Sequence, residues 1–262
     1  MYKLIDTHAH LDQVENLDAA IEKARDCGLI AIIAVGVDSE SNRRVLEIAE
    51  KYESFIFPAL GCHPDTLGKT GSEIEAELKF IEDNISEAVA VGEIGLDYLK
   101  RVRQQASKDV QQQVLKDVLQ IAGRFDKPVS VHSRYSWKDC FEIVRDSGVS
   151  RAVFHWYSGP LSVLSQIHSE GFFTSATPAV EYGAEHARAI RETPFEQLML
   201  ETDTPVVYHR NTALARPSEP ADVALRVLGK VAELKGIEPQ AAARKTTENA
   251  IGFFGLSNQE IE

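Results

Sequence analysis

Histidine, aspartate and glutamate are the side chains that hold borderline and hard divalent cations, and in this chain they collect just behind short apolar runs. His8 and His10 lie two residues apart in Leu4-Ile5-Asp6-Thr7-His8-Ala9-His10-Leu11-Asp12. On a strand both imidazoles then point to one face and can offer two neutral nitrogens to one ion. Such a pair is by itself as readily a surface or carbonyl-bonded feature. Other runs add His63 after Phe55 to Gly61, Glu93 within Val91-Gly92-Glu93-Ile94-Gly95, and His132 closing Val129-Ser130-Val131. They also add His155 closing Ala152-Val153-Phe154, and Asp203 after Leu200-Glu201-Thr202. Five of the eight histidines occupy such ends, whereas His168 and His186 fall in predicted helices and His209 in a loop. Each has a plainer reading, an ion-paired core acid for Glu93 or a turn cap for Asp203, but scatter rarely produces all of them together. Glu201 shares a strand face with Asp203 and is its nearest rival; Asp203 is preferred because it lies nearer the strand end.

Residues at strand ends meet only if the strands share one mouth, and the apolar patterning predicts that they do. Strands are expected at 4–12, 29–37, 55–61, 88–95, 128–133, 151–156, 171–176 and 198–202, most as continuous apolar runs of the kind covered on both faces. Between them helical spacing is expected at 17–27 closed by Gly28, at 39–52 with Ser39 as cap, and at 72–84 opened by Ser72 and Glu75. Further helices are expected at 104–125 with Val110, Val114, Val118 and Ile121 on one stripe, then at 137–146, 161–169 and 184–192. Helices at 219–235 and 239–254 close the chain. Eight strands alternating with helices, without a linker or low-complexity tract, predict an α/β fold: one (β/α)8 barrel domain over residues 1–262. A doubly wound sheet would call for a glycine-rich phosphate turn after the first strand, and none is present.

Four imidazoles (His8, His10, His132, His155) and two carboxylates (Glu93, Asp203) exceed what one tetrahedral ion needs, so two divalent ions sharing a bridging acid are expected. Nitrogen and oxygen donors admit Zn, Mn, Co, Ni or Mg. A formal charge of −12 argues against a protein that coats nucleic acid, although two dications make a pocket locally positive. Lys100, Arg101 and Arg103 after the fourth strand are read as loop charges near the mouth, and Arg134 returns to the face of His132, where a guanidinium can grip phosphate with two donors. Tyr98, Trp156 and Tyr157 are candidate stacking faces for a base. Cys27, Cys62 and Cys140 form neither a disulfide framework nor a thiolate metal site by spacing. With no apolar run of membrane-spanning length and no signal-like N-terminus, a cytoplasmic location without membrane contact is expected.

The motifs Asp6-Thr7-His8-Ala9-His10-Leu11-Asp12, Gly61-Cys62-His63-Pro64, Val91-Gly92-Glu93-Ile94-Gly95-Leu96-Asp97, Val131-His132-Ser133-Arg134, Phe154-His155-Trp156-Tyr157-Ser158-Gly159 and Glu201-Thr202-Asp203-Thr204-Pro205 resemble those of the TatD family of metal-dependent hydrolases. The likeness extends to Thr246-Thr247-Glu248-Asn249-Ala250 and Phe254-Gly255. It implies an amidohydrolase-like barrel in which His8, His10, Glu93 and Asp203 surround one metal and Glu93 bridges to a second held by His132 and His155. It also implies substrate-facing roles for His63 and Arg134. Trp156-Tyr157 stand where the family often has Cys-Phe, and Val206-Val207 where an aromatic often follows the proline, so the mouth departs from the pattern while the metal set does not.

The expected activity is hydrolysis of a phosphodiester at the end of single-stranded DNA, with Asp203 either orienting the attacking water as a base or serving only as ligand. Hydrolysis of another ester or amide, such as the D-aminoacyl-tRNA bond, is the competing reading. A non-catalytic scaffold braced by metal is the third.

Overall fold

The computed structural model describes residues 2–209, 212 and 215–257. The chain runs β1 (Leu4–Ala9), α1 (Leu17–Asp26), β2 (Leu29–Val35), α2 (Ser39–Lys51), β3 (Ile56–Leu60), α3 (Gly71–Asn84) and β4 (Ala90–Asp97). It continues through α4 (Lys100–Gln105), α5 (Lys108–Arg124), β5 (Val129–Arg134), α6 (Trp137–Asp146), β6 (Ala152–Phe154), α7 (Leu161–Ser169), β7 (Phe173–Ala176), α8 (Ala184–Glu192) and β8 (Leu198–Leu200). A two-residue ribbon, β9 (Val207–Tyr208) with β10 (Arg216–Pro217), precedes α9 (Leu228–Lys235) and α10 (Pro239–Phe254).

Among the described residues, β1 to β8 form one sheet in sequence order with every neighbouring pair parallel, the expected (β/α)8 arrangement. The seam between β8 and β1 is closed by the Ala9–Thr204 bridge, by Asp203 N–H donating to His8 O (2.9 Å) and by His10 N–H donating to Thr204 O (2.8 Å). Below it the buried Asp6 carboxylate accepts from the Thr202 N–H (3.0 Å) and hydroxyl (2.6 Å). Ile5, Ile33, Phe57, Ala90, Val153 and Met199 belong to one buried cluster. Side chains from strands that are not neighbours meet in that way only inside the cylinder. Phe253 and Phe254 of α10 join the cluster, and Thr247 donates to Lys3 O at the start of β1, so α10 plugs the amino-terminal end. The carboxyl-terminal mouth is left open for chemistry.

Several boundaries differ from the sequence expectation, each for a local reason. Asp38, not Ser39, caps α2, because its carboxylate accepts from Ser41 N–H (3.0 Å) while Ser39 donates to Glu77. The capping box of α3 is Thr70 with Glu73, two residues before the Ser72 and Glu75 of like spacing. The expected helix 104–125 is two helices: Ala106 is extended and Ser107 caps a new start, which places Val110 in an exposed first turn. Lys100, Arg101 and Arg103 therefore stand on a helix, not a loop. The 219–235 segment opens with a π-turn at Val223–Val227 before α9 begins.

Three site strands are shorter than expected. β1 stops at Ala9, β6 at Phe154 and β8 at Leu200, and Trp156 (φ 41°) and Asp203 (φ 49°) turn left-handed beyond the last two. The turns break the ladder and leave His10, His155 and Asp203 on the rim. β4 and β5 approach closely instead. Gly95 has φ 149°, and a Cβ there would lie 2.0 Å from His132 O. Gly95→Ala is expected to push β4 off β5 and cost about 1–3 kcal/mol, read as a drop in thermal midpoint at unchanged metal supply.

Candidate metal centre

Three imidazoles of the mouth, His10, His8 and His63, are oriented by a hydrogen-bond partner on their far side. His10 Nδ1 lies 3.0 Å from Val35 O, which accepts only, so in neutral His10 the proton sits on Nδ1 and the Nε2 lone pair faces the mouth. His8 Nδ1 lies 3.0 Å from Ser130 Oγ, from across the barrel, and His63 Nδ1 lies 2.6 Å from Asp65 Oδ1. The inward nitrogens converge on Glu93. Its Oε2 is 3.5 Å from His8 Nε2 and 3.3 Å from His10 Nε2, while its Oε1 is 3.5 Å from His63 Nε2, 2.8 Å from His132 Nδ1 and 2.7 Å from His155 Nε2. Asp203 Oδ1 completes the first side at 3.8 Å from His8 Nε2 and 3.4 Å from His10 Nε2.

All six expected ligands thus meet around one carboxylate, His8, His10 and Asp203 on one side and His132 and His155 on the other. His63, expected to face substrate, groups with Glu93 and His132 closely enough to share an ion, and His8, His155 and Glu201 form a further such group. These groups of nitrogen and oxygen donors give the chain places for two divalent cations. His8 Nε2 is sealed from solvent with no hydrogen-bond partner and keeps a gap of 3.5 Å or more to both nearby carboxylates. Such an orphan costs free energy unless something fills the gap, and the donor set fits a cation there.

Burial alone would lift the Glu93 carboxyl, but His63, His155, His10 and His132 hold it well below the usual range. Asp203 is lowered for the same reason, its burial outweighed by His10, His155 and His8. Burial lowers His8, aided by the neighbouring His155 charge. The burial of His10 and His155 acts the same way but is overcome by the facing carboxylates, which leave both well above the ordinary histidine value. The cluster therefore holds ionised carboxylates ready for a cation and protons that a cation would displace.

Two acids lie behind the expected ligands, Glu201, which the sequence offers only as the rival of Asp203, and Asp97, to which it assigns no role. Glu201 is fully buried; its Oε1 accepts from Ser175 Oγ (2.6 Å) and Trp156 N–H (2.8 Å), and its Oε2 lies 3.4 Å from His155 Nδ1. It faces His155, so the choice between Glu201 and Asp203 divides into two positions. Asp97, also fully buried, lies 3.7 Å from His132 Nε2 and binds the Arg134 guanidinium, whose Nε is 3.0 Å from Asp97 Oδ2. Its spacing of four from Glu93 on β4 was the available signal, as was that of Ser130 two residues before His132. Glu201→Gln is expected to weaken metal binding and turnover 10- to 100-fold, the usual effect of losing a histidine-orienting partner, which titration of apoprotein with Mn²⁺ would read.

Five of the expected ligands, His10, Glu93, His132, His155 and Asp203, floor a cavity of ≈460 Å³, walled by Arg101, Arg134, Trp156 and Val206. Arg103 turns away and donates to Tyr98 O. The TatD-related DNase family profile matches residues 5–255. The chain belongs to that family. It is similar to human deoxyribonuclease TATDN3, 29% identical over 262 residues that cover 96% of this chain and 94% of the human one. It is also similar to the uncharacterized metal-dependent hydrolase YabD of Bacillus subtilis, 29% identical with 97% and 100% covered. Among solved structures, the TatD homologue YJJV of Escherichia coli superposes with a TM-score of 0.88 at 28% identity, covering 97% of this chain and 98% of that one. This TatD-family chain is a metal-dependent hydrolase. Among its described residues no helix is long and apolar enough to cross a membrane.

Proposed function

We propose that the protein cleaves phosphodiester bonds in nucleic acid, taking single-stranded DNA from its ends, with His8, His10, Glu93, His132, His155 and Asp203 as metal ligands. The observation that carries this is a mouth whose floor is wholly imidazole and carboxylate and whose wall carries Arg101 and Arg134. Those six side chains would hold divalent ions, which would supply polarisation of the phosphate and acidification of a water. Asp203, ionised and reaching Oδ1 toward the floor, takes the proton of the attacking water. Glu201 faces His155 from behind, and Arg134, itself held by Asp97, presents its remaining N–H groups to the phosphate. His63 sits with Glu93 and His132 and contacts the phosphate or shares the second ion. A chain end reaches the bottom of such a cavity; the middle of a duplex does not. The name of the human relative supports DNA as substrate. Three free cysteines, two of them buried, support a cytosolic site of action.

The test is release of nucleotides from an end-labelled single-stranded oligonucleotide with Mg²⁺ or Mn²⁺, beside hydrolysis of D-aminoacyl-tRNA. Cleavage of the oligonucleotide, lost in His132→Ala and Asp203→Asn, is expected. Unchanged cleavage in those variants, or turnover of the aminoacyl ester alone, would reject the reading.

A further inference from the structure

Of the three aromatic residues that the sequence offers as stacking faces, Tyr98, Trp156 and Tyr157, the fold leaves one lining the metal cavity. Tyr157 is fully buried and donates its hydroxyl to Pro160 O (2.8 Å). Tyr98 is buried as well, its hydroxyl tied to Asp139 (2.9 Å) and Gln112 (2.8 Å). Trp156 is half-buried and lines the metal cavity beside His155 and Asp203. Its backbone is left-handed at φ 41°, a conformation that a bulky side chain seldom adopts and that surrounding structure must impose.

The restraint is visible. Trp156 N–H donates to Glu201 Oε1, and the other oxygen of the same carboxylate faces His155 Nδ1. The ring is backed by buried Tyr208, centroid to centroid 5.4 Å at 48°. One carboxylate therefore anchors the backbone of the aromatic wall through one oxygen and faces an imidazole of the metal floor with the other, and the wall has little freedom left to lose on binding.

We propose that Trp156 is the face on which the base attached to the cleaved phosphate stacks. The site then takes phosphodiesters that carry a planar heteroaromatic base beside the scissile bond and discriminates against baseless sugar phosphates. Every base has a π-face, so the preference is for a base over none and not for one base over another. The proposal deepens the phosphodiesterase reading and rests on it.

The chain has two tryptophans, so in a Trp137→Phe background the emission reports Trp156 alone. With Mg²⁺ present, thymidine 5′-monophosphate is expected to quench that emission and to bind about 5- to 140-fold more tightly than 2-deoxyribose 5-phosphate. That ratio corresponds to ~1–3 kcal/mol of stacking at about 1.4 kcal/mol per tenfold. By calorimetry, Trp156→Leu is expected to lose the ratio and Trp156→Phe to keep most of it. Equal affinities in the wild type, or an unchanged ratio in Trp156→Leu, would overturn the assignment; the wild-type ratio decides alone if the leucine variant does not fold. Cleavage of the labelled oligonucleotide is measured in parallel. Cleavage with equal affinities removes only the stacking face, whereas preferential nucleotide binding without cleavage of any phosphodiester keeps the face and removes the hydrolysis reading.

Discussion

Glu93→Gln is expected to leave the barrel folded while bound metal falls below two ions per chain and kcat falls on the order of 10³-fold. The carboxylate reaches both sides of the cluster, Oε2 toward His8 and His10 and Oε1 toward His63, His132 and His155. Glutamine keeps its shape but not its charge, so the imidazoles lose the anion that neutralises a cation between them. Losing several kcal/mol of electrostatic stabilisation of the transition state, at about 1.36 kcal/mol per tenfold, gives the stated factor. Metal analysis of the purified variant, circular dichroism and turnover of the oligonucleotide check the three parts separately. Two ions per chain with wild-type turnover would show that Glu93 is a core acid and not a shared ligand.

Removing the metals is expected to lower the thermal midpoint by roughly 8–16 °C. An ion present at about 1,000 times its dissociation constant stabilises the folded state by ~4 kcal/mol, and a chain of this size shifts by roughly 2–4 °C per kcal/mol. The gap should widen as pH rises from about 6 to about 8. In the apoprotein His10, His132 and His155 have folded values raised above their unfolded ones, despite burial, by facing carboxylates. Their contribution is complete below the unfolded histidine value and is lost as pH climbs through the raised values. Metal binding runs the opposite way, because those nitrogens must shed protons to ligate. Calorimetric melts with and without chelator at several pH values test the sign. A gap that narrows with pH would place the ions elsewhere.

The barrel could be read from the sequence because its strands are unbroken apolar runs, a signal that survives errors of two or three residues at each end. The convergence of the candidate ligands could be read because a barrel makes strand ends meet, so His8, Glu93, His132 and Asp203 needed only a shared position in the pattern. What lay behind them was less legible. Glu201 and Asp203 share a strand face on simple alternation, but the left-handed turn at Asp203 sends one carboxylate to His8 and His10 and the other to His155. Arg134 was visible as a charge at the mouth, while its commitment to Asp97 depends on β4 and β5 touching at Gly95, which only the backbone reveals. The break between α4 and α5 hangs on one serine that serves as a helix start although the apolar period continues past it.

The seam where the cylinder closes has a consequence for how the protein is made. His8 and Asp203 sit on its two lips, joined by a main-chain bond, and the helix that plugs the floor is the last in the described chain. A polypeptide leaving the ribosome carries the earlier ligands well before the final lip arrives to complete the ring. Copies that stop before Asp203 hold the earlier pieces without the assembled cluster, so the centre can come together only once the eighth strand and its following turn have been made.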